Sequence, residues 1–187
     1  MERFSKIKEE VKKTETDNIL YEDDYTKLIN YEGWSVLEEV DNVICIPFLI
    51  EYNQFIIRQE YIPSYKLDEG KEYHITVLSG GIEDGENPAQ ALKRELEEEA
   101  GIVIRDNFEF DIQAPIFKFK GSSSKYHMCI LPLTENDYHE VIAKGDGSKE
   151  EDLSKSVKVS LRHLNSIISS DTITELMLSK LKGYLNI

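Results

Sequence analysis

One segment, residues 80–102, constrains the fold and the chemistry of this chain more than any other. It reads GGIEDGENPAQALKRELEEEAGI, so a glycine-containing turn is followed by a run rich in glutamate. Pro88 suits the first turn of a helix, where its missing N–H needs no partner. Gly101 suits the position just after a helix, where φ is often positive. The segment therefore predicts a loop that leads into a helix of about three turns.

The acidic residues of this predicted helix share one face. Glu95 lies three residues before Glu98 and four before Glu99, whereas Leu92 and Leu96 fall on a different face. Like charges at this spacing weaken an isolated helix by roughly 0.2–0.5 kcal/mol per pair, so a counter-charge is needed. Mg²⁺ would supply it, because it binds carboxylate oxygens and completes its shell with water and substrate phosphates. The face indicates metal-assisted phosphate chemistry, and the alternative is an ordinary solvated acidic surface.

The segment also follows a longer pattern, Gly-x5-Glu-x7-Arg-Glu-aliphatic-x-Glu-Glu-x-Gly-aliphatic. By chance, a match to all of its fixed positions would arise at about one starting point in 10⁸ or more rarely. The matching residues are Gly80, Glu86, Arg94, Glu95, Leu96, Glu98, Glu99, Gly101 and Ile102. This pattern resembles the Nudix box, the signature of the Nudix hydrolase superfamily.

Outside the box, the chain is similar to the ADP-ribose and nucleoside-diphosphate-sugar pyrophosphatases of that superfamily. The likeness rests on the order of Trp34, an apolar strand, Arg58 and a C-terminal helix around the box. Leu78-Ser79 stands where that branch usually has Pro-Ala, and Lys120 begins a Lys-Gly pair where Pro-Gly is expected. These departures leave the identity of the substrate open.

The resemblance implies an α+β fold, a Nudix-type α/β/α sandwich in which a mixed β-sheet is flanked by helices, with a short N-terminal extension. We expect residues 1–40 to form that extension and to contribute to a dimer, and residues 41–187 to form the Nudix hydrolase domain. The residue pattern independently predicts a strand from Tyr73 to Leu78 and a helix from Thr172 to Leu185. It also predicts an exposed loop over residues 64–72 and a short helix from Asp137 to Lys144.

By the same resemblance, Glu95, Glu98 and Glu99 are metal ligands for Mg²⁺ or Mn²⁺, and the carbonyl group of Ser79 adds a further oxygen. The general base must lie within hydrogen-bond reach of the attacking water. Glu98 is one candidate for this catalytic role. Glu150 and Glu151 are the others, because the ADP-ribose branch that the chain resembles often has the base on a loop before the last strand, where these two residues lie; the alternative is that both are solvated loop residues.

Four residues of the box are expected to have structural roles. The resemblance implies that Arg94 and Glu86 hold the loop against the helix through an ion pair. Gly80 and Gly101 are expected to be needed for the backbone geometry.

Substrate-binding residues are expected outside the box. Trp34 is a candidate for stacking and Arg58 for contacting phosphate, with core packing and a surface position as the respective alternatives. Lys118 and Lys120 form a local basic patch that would either receive phosphate or be solvated edge-strand lysines.

The function implied is metal-dependent hydrolysis of the diphosphate linkage in a nucleoside diphosphate derivative, with ADP-ribose or a related sugar nucleotide preferred. The products would be a nucleoside monophosphate and a phosphorylated partner. Alternatives within the superfamily are nucleoside triphosphates, dinucleoside polyphosphates, NADH and capped RNA. An alternative of another class is a non-catalytic nucleotide-binding regulatory module.

Charge and composition limit the partners. The formal charge is −14, from 36 acidic and 22 basic residues, which disfavours DNA and anionic membranes but not a small nucleotide that carries a metal. Cys45 and Cys129 lie in apolar runs, which indicates buried thiols rather than a disulfide. No apolar signal or membrane-spanning segment is evident, so we expect a cytoplasmic protein, and the resemblance implies a homodimer.

Overall fold

The computed structural model describes residues 19–70, 73–145, 147 and 153–187. In chain order the strands are β1 (Ile19–Glu22), β2 (Lys27–Tyr31), β3 (Trp34–Glu38), β4 (Asn42–Leu49), β5 (Gln54–Tyr61), β6 (Tyr73–Thr76), β7 (Leu78–Gly81), β8 (Ile102–Ile104), β9 (Ile116–Phe117), β10 (Lys125–Leu133), β11 (Tyr138–Glu140) and β12 (Lys155–Ser160). The α-helices are α1 (Pro63–Glu69), α2 (Pro88–Ala100) and α3 (Thr172–Leu185), and a 3-10 helix, Leu161–Ser166, precedes α3. None of the described helices is both long enough and apolar enough to cross a membrane.

The chain divides into two compact units. One contains the residues up to Asp41 together with Ile116–Tyr126, and the other contains Asn42–Pro115 and His127–Ile187. In the first unit, β1, β2 and β3 form an antiparallel sheet in that order. Glu32 and Gly33 both have positive φ, as a two-residue turn between β2 and β3 requires.

The Ile116–Tyr126 segment is joined to β3 by main-chain hydrogen bonds within the first unit. Leu37 N donates to the Gly121 carbonyl oxygen at 2.7 Å, and Ser123 N donates to the Leu37 carbonyl oxygen at 3.0 Å. The sequence pattern contains no signal for this connection, because it joins two segments that lie far apart along the chain.

The second unit is built on a sheet in which β12, β5, β4 and β10 are neighbours in that order. β4 is buried at seven of its eight positions, which is typical of a strand covered on both faces. On α2, Ala91, Leu92 and Leu96 pack against a core that includes Val43 and Cys45 of β4. Buried residues of α3 also lie within this unit, and both helices contact β4. The predicted α+β class, a mixed sheet flanked by helices, is confirmed.

The strand before the box loop changes its partner in the middle. β6 pairs antiparallel with β5, and β7 pairs antiparallel with β4. Because β4 and β5 are themselves antiparallel, the chain has to turn at Val77, which lies between β6 and β7. At this turn Val77 N donates to Thr174 Oγ1 of α3 at 3.2 Å instead of to a neighbouring strand. Helix α3 thus provides the acceptor that this buried main-chain N–H requires.

Two local expectations are wrong. Residues 64–72 were expected to be a loop, yet α1 covers Pro63–Glu69 and ends at Gly70, whose φ is 70°. Proline ends a strand, but it equally suits the first turn of a helix. The helix expected from Asp137 to Lys144 is instead strand β11, because Tyr138–Glu140 pairs with β8.

We expect Thr174→Val to destabilise the protein by about 1–3 kcal/mol, because it leaves the buried Val77 N–H without its acceptor. It also removes the hydrogen bond of 2.6 Å from Thr174 Oγ1 to Asp171 Oδ2. The measurement is urea unfolding at neutral pH. Thr172→Val is the matched control, because Thr172 is an exposed residue of the same helical turn. Equal losses in the two variants would contradict the role given to Thr174.

Candidate active site

The box segment forms the predicted loop and helix. Asn87 caps α2, since its Oδ1 accepts from Ala89 N at 3.0 Å and from Gln90 N at 3.1 Å. Gln90 Oε1 in turn accepts from Asn87 N at 2.8 Å, which completes a capping box. Gly101 ends the helix with φ of 63°. Helix α2 is therefore fixed at both ends by local sequence.

Gly80 and Gly101 both allow close approaches that a side chain would block. A Cβ atom on Gly80 would overlap the Glu95 carboxylate, so this carboxylate lies directly against the Gly80 backbone. A Cβ atom on Gly101 would overlap the Val141 carbonyl oxygen. The two glycines thus bring the box loop and the 141–143 segment against α2.

Arg94 joins the box loop to the acidic face of α2. Its Nε and Nη2 donate to the two carboxylate oxygens of Glu86 at 3.0 and 3.1 Å. Its Nη1 lies 2.7 Å from Glu95 Oε1 and 3.1 Å from Glu98 Oε2, and Nη2 donates to the Gly81 carbonyl oxygen at 2.8 Å. The hydrogen bonds from Arg94 lower the pKa of Glu86, and the hydrogen bonds to Glu86 raise the pKa of Arg94 above its ordinary value. Glu86 and Arg94 therefore both stay ionised at neutral pH.

The third box carboxylate is paired from the sheet rather than from its own helix. Arg58 Nη1, on β5, lies 2.9 Å from Glu99 Oε1, and both side chains are buried. Arg58 is 4% exposed, so it is not the surface arginine considered as an alternative. Ser156 Oγ on β12 donates to the Glu99 carbonyl oxygen at 2.8 Å. Sequence reasoning missed Ser156, because nothing distinguishes it from any other serine of a strand.

The three carboxylates differ in access to solvent. The side chains of Glu95 and Glu99 are 7% and 6% exposed, whereas that of Glu98 is 29% exposed. All three lie on α2, at the spacing that places them on one side of the helix. Glu98 is therefore the member of the set that solvent reaches.

The substrate-binding candidates other than Arg58 belong to the first unit. Trp34 is 65% exposed, so core packing does not account for it, and Lys120 Nζ lies 5.3 Å from the centre of its ring. Lys118 Nζ forms a 3.1 Å ion pair with Glu39 and lies 5.8 Å from the Tyr126 ring centre. Lys120 is exposed and Lys118 is half-buried.

Glu150 and Glu151 lie outside the described residues. Cys45 and Cys129 are buried and form no disulfide. Burial raises the pKa of both thiols, that of Cys129 to about 12, so neither thiol is poised as a nucleophile.

The donor set suits a hard divalent cation. Glu86, Glu95, Glu98 and Glu99 with the guanidiniums of Arg58 and Arg94 leave a formal charge of −2. Ser79 lies on β7 opposite Ile44, one residue before the glycine that touches Glu95. Among the described residues no three acidic, histidine or cysteine side chains are already gathered as a metal cluster, because the carboxylates face arginines. Carboxylate oxygens next to a backbone carbonyl are the ligands that Mg²⁺ and Mn²⁺ prefer.

A capped acidic helix, a glycine-containing loop that contacts it and a mixed sheet are the elements that the box pattern predicts. The model of the NUDIX domain family matches residues 41–158 of the chain. The chain belongs to the Nudix family, and the predicted resemblance is confirmed. Members of this family generally use divalent metal ions such as Mg²⁺.

Two individual proteins are similar to this chain. An 8-oxo-dGTP diphosphatase of Haemophilus influenzae is 36% identical over 80 residues, which cover 38% of this chain and 59% of that protein. The chain thus aligns with less than two thirds of the length of this curated relative. A crystal structure of an ADP compounds hydrolase superposes with a TM-score of 0.62 at 16% identity, covering 91% of each chain. The latter similarity supports the fold.

We expect Gly80→Ala to lower stability by about 1–3 kcal/mol, because the added Cβ atom would overlap the Glu95 carboxylate. Glu95 would then move away from Arg94 and from the place where a cation is expected. Thermal unfolding with and without Mn²⁺ is the measurement, and the stabilisation by Mn²⁺ should shrink as well. Gly183→Ala is the matched control, since nothing lies within 4 Å of a Cβ atom placed there. A Gly80→Ala protein with normal stability would contradict this geometry.

Proposed function

We propose that this chain is a divalent-metal-dependent Nudix pyrophosphohydrolase that cleaves the diphosphate linkage of a nucleoside diphosphate derivative. The observation that carries the proposal is the intact acidic face of α2, with Glu95, Glu98 and Glu99 held between two arginines.

Within this function, ADP-ribose or a related sugar nucleotide is the preferred substrate. An ADP compounds hydrolase shares the fold over 91% of the chain, and the order of elements outside the box resembles the ADP-ribose and sugar-nucleotide pyrophosphatases. Hydrolysis of a nucleoside triphosphate is the second candidate, because the sequence relative is an 8-oxo-dGTP diphosphatase.

The residues of the box divide the work in this proposal. A bound Mg²⁺ or Mn²⁺ would neutralise the diphosphate and lower the pKa of a coordinated water. Glu95, Glu99 and the Ser79 carbonyl group would hold the cation, and Arg94 fixes Glu95 in place through its hydrogen bond. Glu98 takes the proton from the attacking water, because it is the one of the three carboxylates that solvent reaches. Glu150 and Glu151 remain rivals for this role.

The first experiment is a panel of substrates with Mg²⁺ and with Mn²⁺. It compares release of AMP from ADP-ribose with release of monophosphate from 8-oxo-dGTP, NADH and dinucleoside polyphosphates. We expect ADP-ribose or a sugar nucleotide to give the highest kcat/KM. Faster turnover of 8-oxo-dGTP would favour the second candidate, and binding without any turnover would favour the regulatory module.

Glu99→Gln and Glu98→Gln should each lower kcat by about 10²-fold or more. The first variant removes a proposed metal ligand, and the second removes the proposed general base. Glu97→Gln is the matched control, because Glu97 lies on the same helix but faces solvent. The three variants have the same change in charge and size. Full activity in Glu98→Gln and Glu99→Gln would contradict the proposed site. If Glu150→Gln or Glu151→Gln loses activity and Glu98→Gln does not, the role of general base would belong to that loop glutamate instead of Glu98.

Trp34 and Lys120 are proposed substrate contacts on chemical grounds. An exposed indole with a nearby ammonium group can stack on a base and attract a phosphate. Lys118 is the weaker candidate, because its ammonium group is already paired with Glu39. These residues would serve either their own chain or the partner in a homodimer.

Trp34→Ala should raise KM by about tenfold with little change in kcat. The stacking of Trp34 on the nucleobase would stabilise the bound substrate and the transition state equally. Trp34→Phe keeps an aromatic face and should recover most of the affinity. Steady-state kinetics on the best substrate of the panel is the measurement. An unchanged KM in Trp34→Ala would remove Trp34 from the substrate-binding residues.

A further inference from the structure

Arg58 and Glu99 form a buried ion pair that links the sheet to the acidic helix. Arg58 Nη1 lies 2.9 Å from Glu99 Oε1, and the two side chains are 5% and 6% exposed. Arg58 Nε is buried as well and has no hydrogen-bond partner among the described residues. The guanidinium of Arg58 is therefore directed at a box carboxylate rather than at solvent.

The register of the sheet places Arg58 for this contact. Arg58 pairs with Ser156 on β12 and with Thr76 on β6, so strands flank it on both sides. Ser156 Oγ donates to the carbonyl oxygen of Glu99. The last turn of α2 is thus bound to two adjacent strands through the main chain and the carboxylate of one residue.

The pairing has an energetic consequence for metal binding. A buried carboxylate without a counter-charge is strongly unfavourable, and removal of one partner from a buried pair leaves the other uncompensated. A divalent cation held by Glu99 would supply a second positive charge beside the same carboxylate. The cation and the guanidinium would then repel each other across a short distance.

We propose that Arg58 is a positioning residue that acts through Glu99. It neutralises and orients this carboxylate in the metal-free chain, and it thereby sets how tightly the site binds a divalent cation. The proposal rests on the proposed function, because it takes Glu99 as a metal ligand. It replaces direct contact with substrate phosphate as the role of Arg58, since the guanidinium is buried and already paired.

The proposal predicts that loss of the Arg58 charge lowers the stability of the metal-free protein more than that of the metal-bound protein. Without the charge of Arg58, the metal-free chain is destabilised, whereas the metal-bound chain keeps a counter-charge for Glu99. A loss of stability confined to the metal-free state appears, by linkage, as tighter metal binding. Removing the repulsion between guanidinium and cation acts in the same direction.

The test uses the full chain and three variants, Arg58→Met, Arg58→Lys and the double variant Arg58→Met with Glu99→Gln. Thermal unfolding is measured for the metal-free protein and at saturating Mn²⁺, and the Kd for Mn²⁺ is measured by calorimetry without substrate. Arg58→Met should lower the metal-free Tm by about 5–10 °C. It should also lower the Kd for Mn²⁺ by about tenfold.

The other two variants serve as controls. Arg58→Lys should have a metal-free Tm and a Kd for Mn²⁺ closer to those of the unsubstituted chain than Arg58→Met has. Lysine keeps the positive charge but lacks the planar guanidinium group. The double variant should regain most of the lost metal-free Tm, since it also removes the negative charge that Arg58 paired with. If Arg58→Met fails to fold, recovery of folding in the double variant supports the proposal and failure to recover overturns it.

Other outcomes separate the competing roles. Equal losses of Tm with and without Mn²⁺, at an unchanged Kd, would overturn the proposal and leave Arg58 as a residue of the fold alone. An unchanged Kd with a raised KM at saturating Mn²⁺ would overturn it in favour of phosphate contact. If the unsubstituted chain binds no Mn²⁺ and hydrolyses no substrate, the proposed function itself fails. That failure is distinguishable, because the coupling of Arg58 to Glu99 in the metal-free Tm does not depend on the metal.

Discussion

Burial of negative charge under the acidic helix is the constraint on which the rest of the second unit depends. The side chains of Glu95 and Glu99 are 7% and 6% exposed, and an unpaired carboxylate at that depth would cost several kcal/mol. Arg94 pairs with Glu95 from within the box, and Arg58 pairs with Glu99 from β5. The apolar residues of α2 can pack against the sheet only because both carboxylates reach an arginine. The box helix and the sheet therefore have to be fixed together.

The parts of this arrangement that sequence predicts are those encoded by neighbouring residues. Pro88 and Gly101 mark the ends of α2, and the i, i+3 and i, i+4 spacing places its acidic residues on one side. The ion pair between Arg94 and Glu86 also lies within the box, so the resemblance was sufficient to expect it. Local signals fail where one residue has two uses. Pro63 follows β5 and also begins α1, and the residue pattern indicates only the end of the strand.

The parts that sequence does not predict depend on contacts between distant segments. Tyr138–Glu140 forms a strand because β8 is available to pair with it, and this tertiary contact overrides the helical pattern. The support of Val77 by Thr174 and the pairing of Arg58 with Glu99 arise from strand register and helix docking, which no single segment encodes. Sequence could select Arg58 as a candidate, yet its partner follows only from the sheet.

The same distinction separates the binding of a cation, which would depend mainly on the box, from the choice of substrate, which would depend on other segments. The four paired carboxylates of the site and its two arginines leave a formal charge of −2, which a single divalent cation would balance. That balance is a property of the Nudix unit itself and is independent of what is attached to the diphosphate. The leaving group would be distinguished by other side chains, among which Trp34 and Lys120 already contact each other on the first unit. Because a fold does not fix the function of the sites built on it, we propose that the identity of the substrate depends on side chains outside the box.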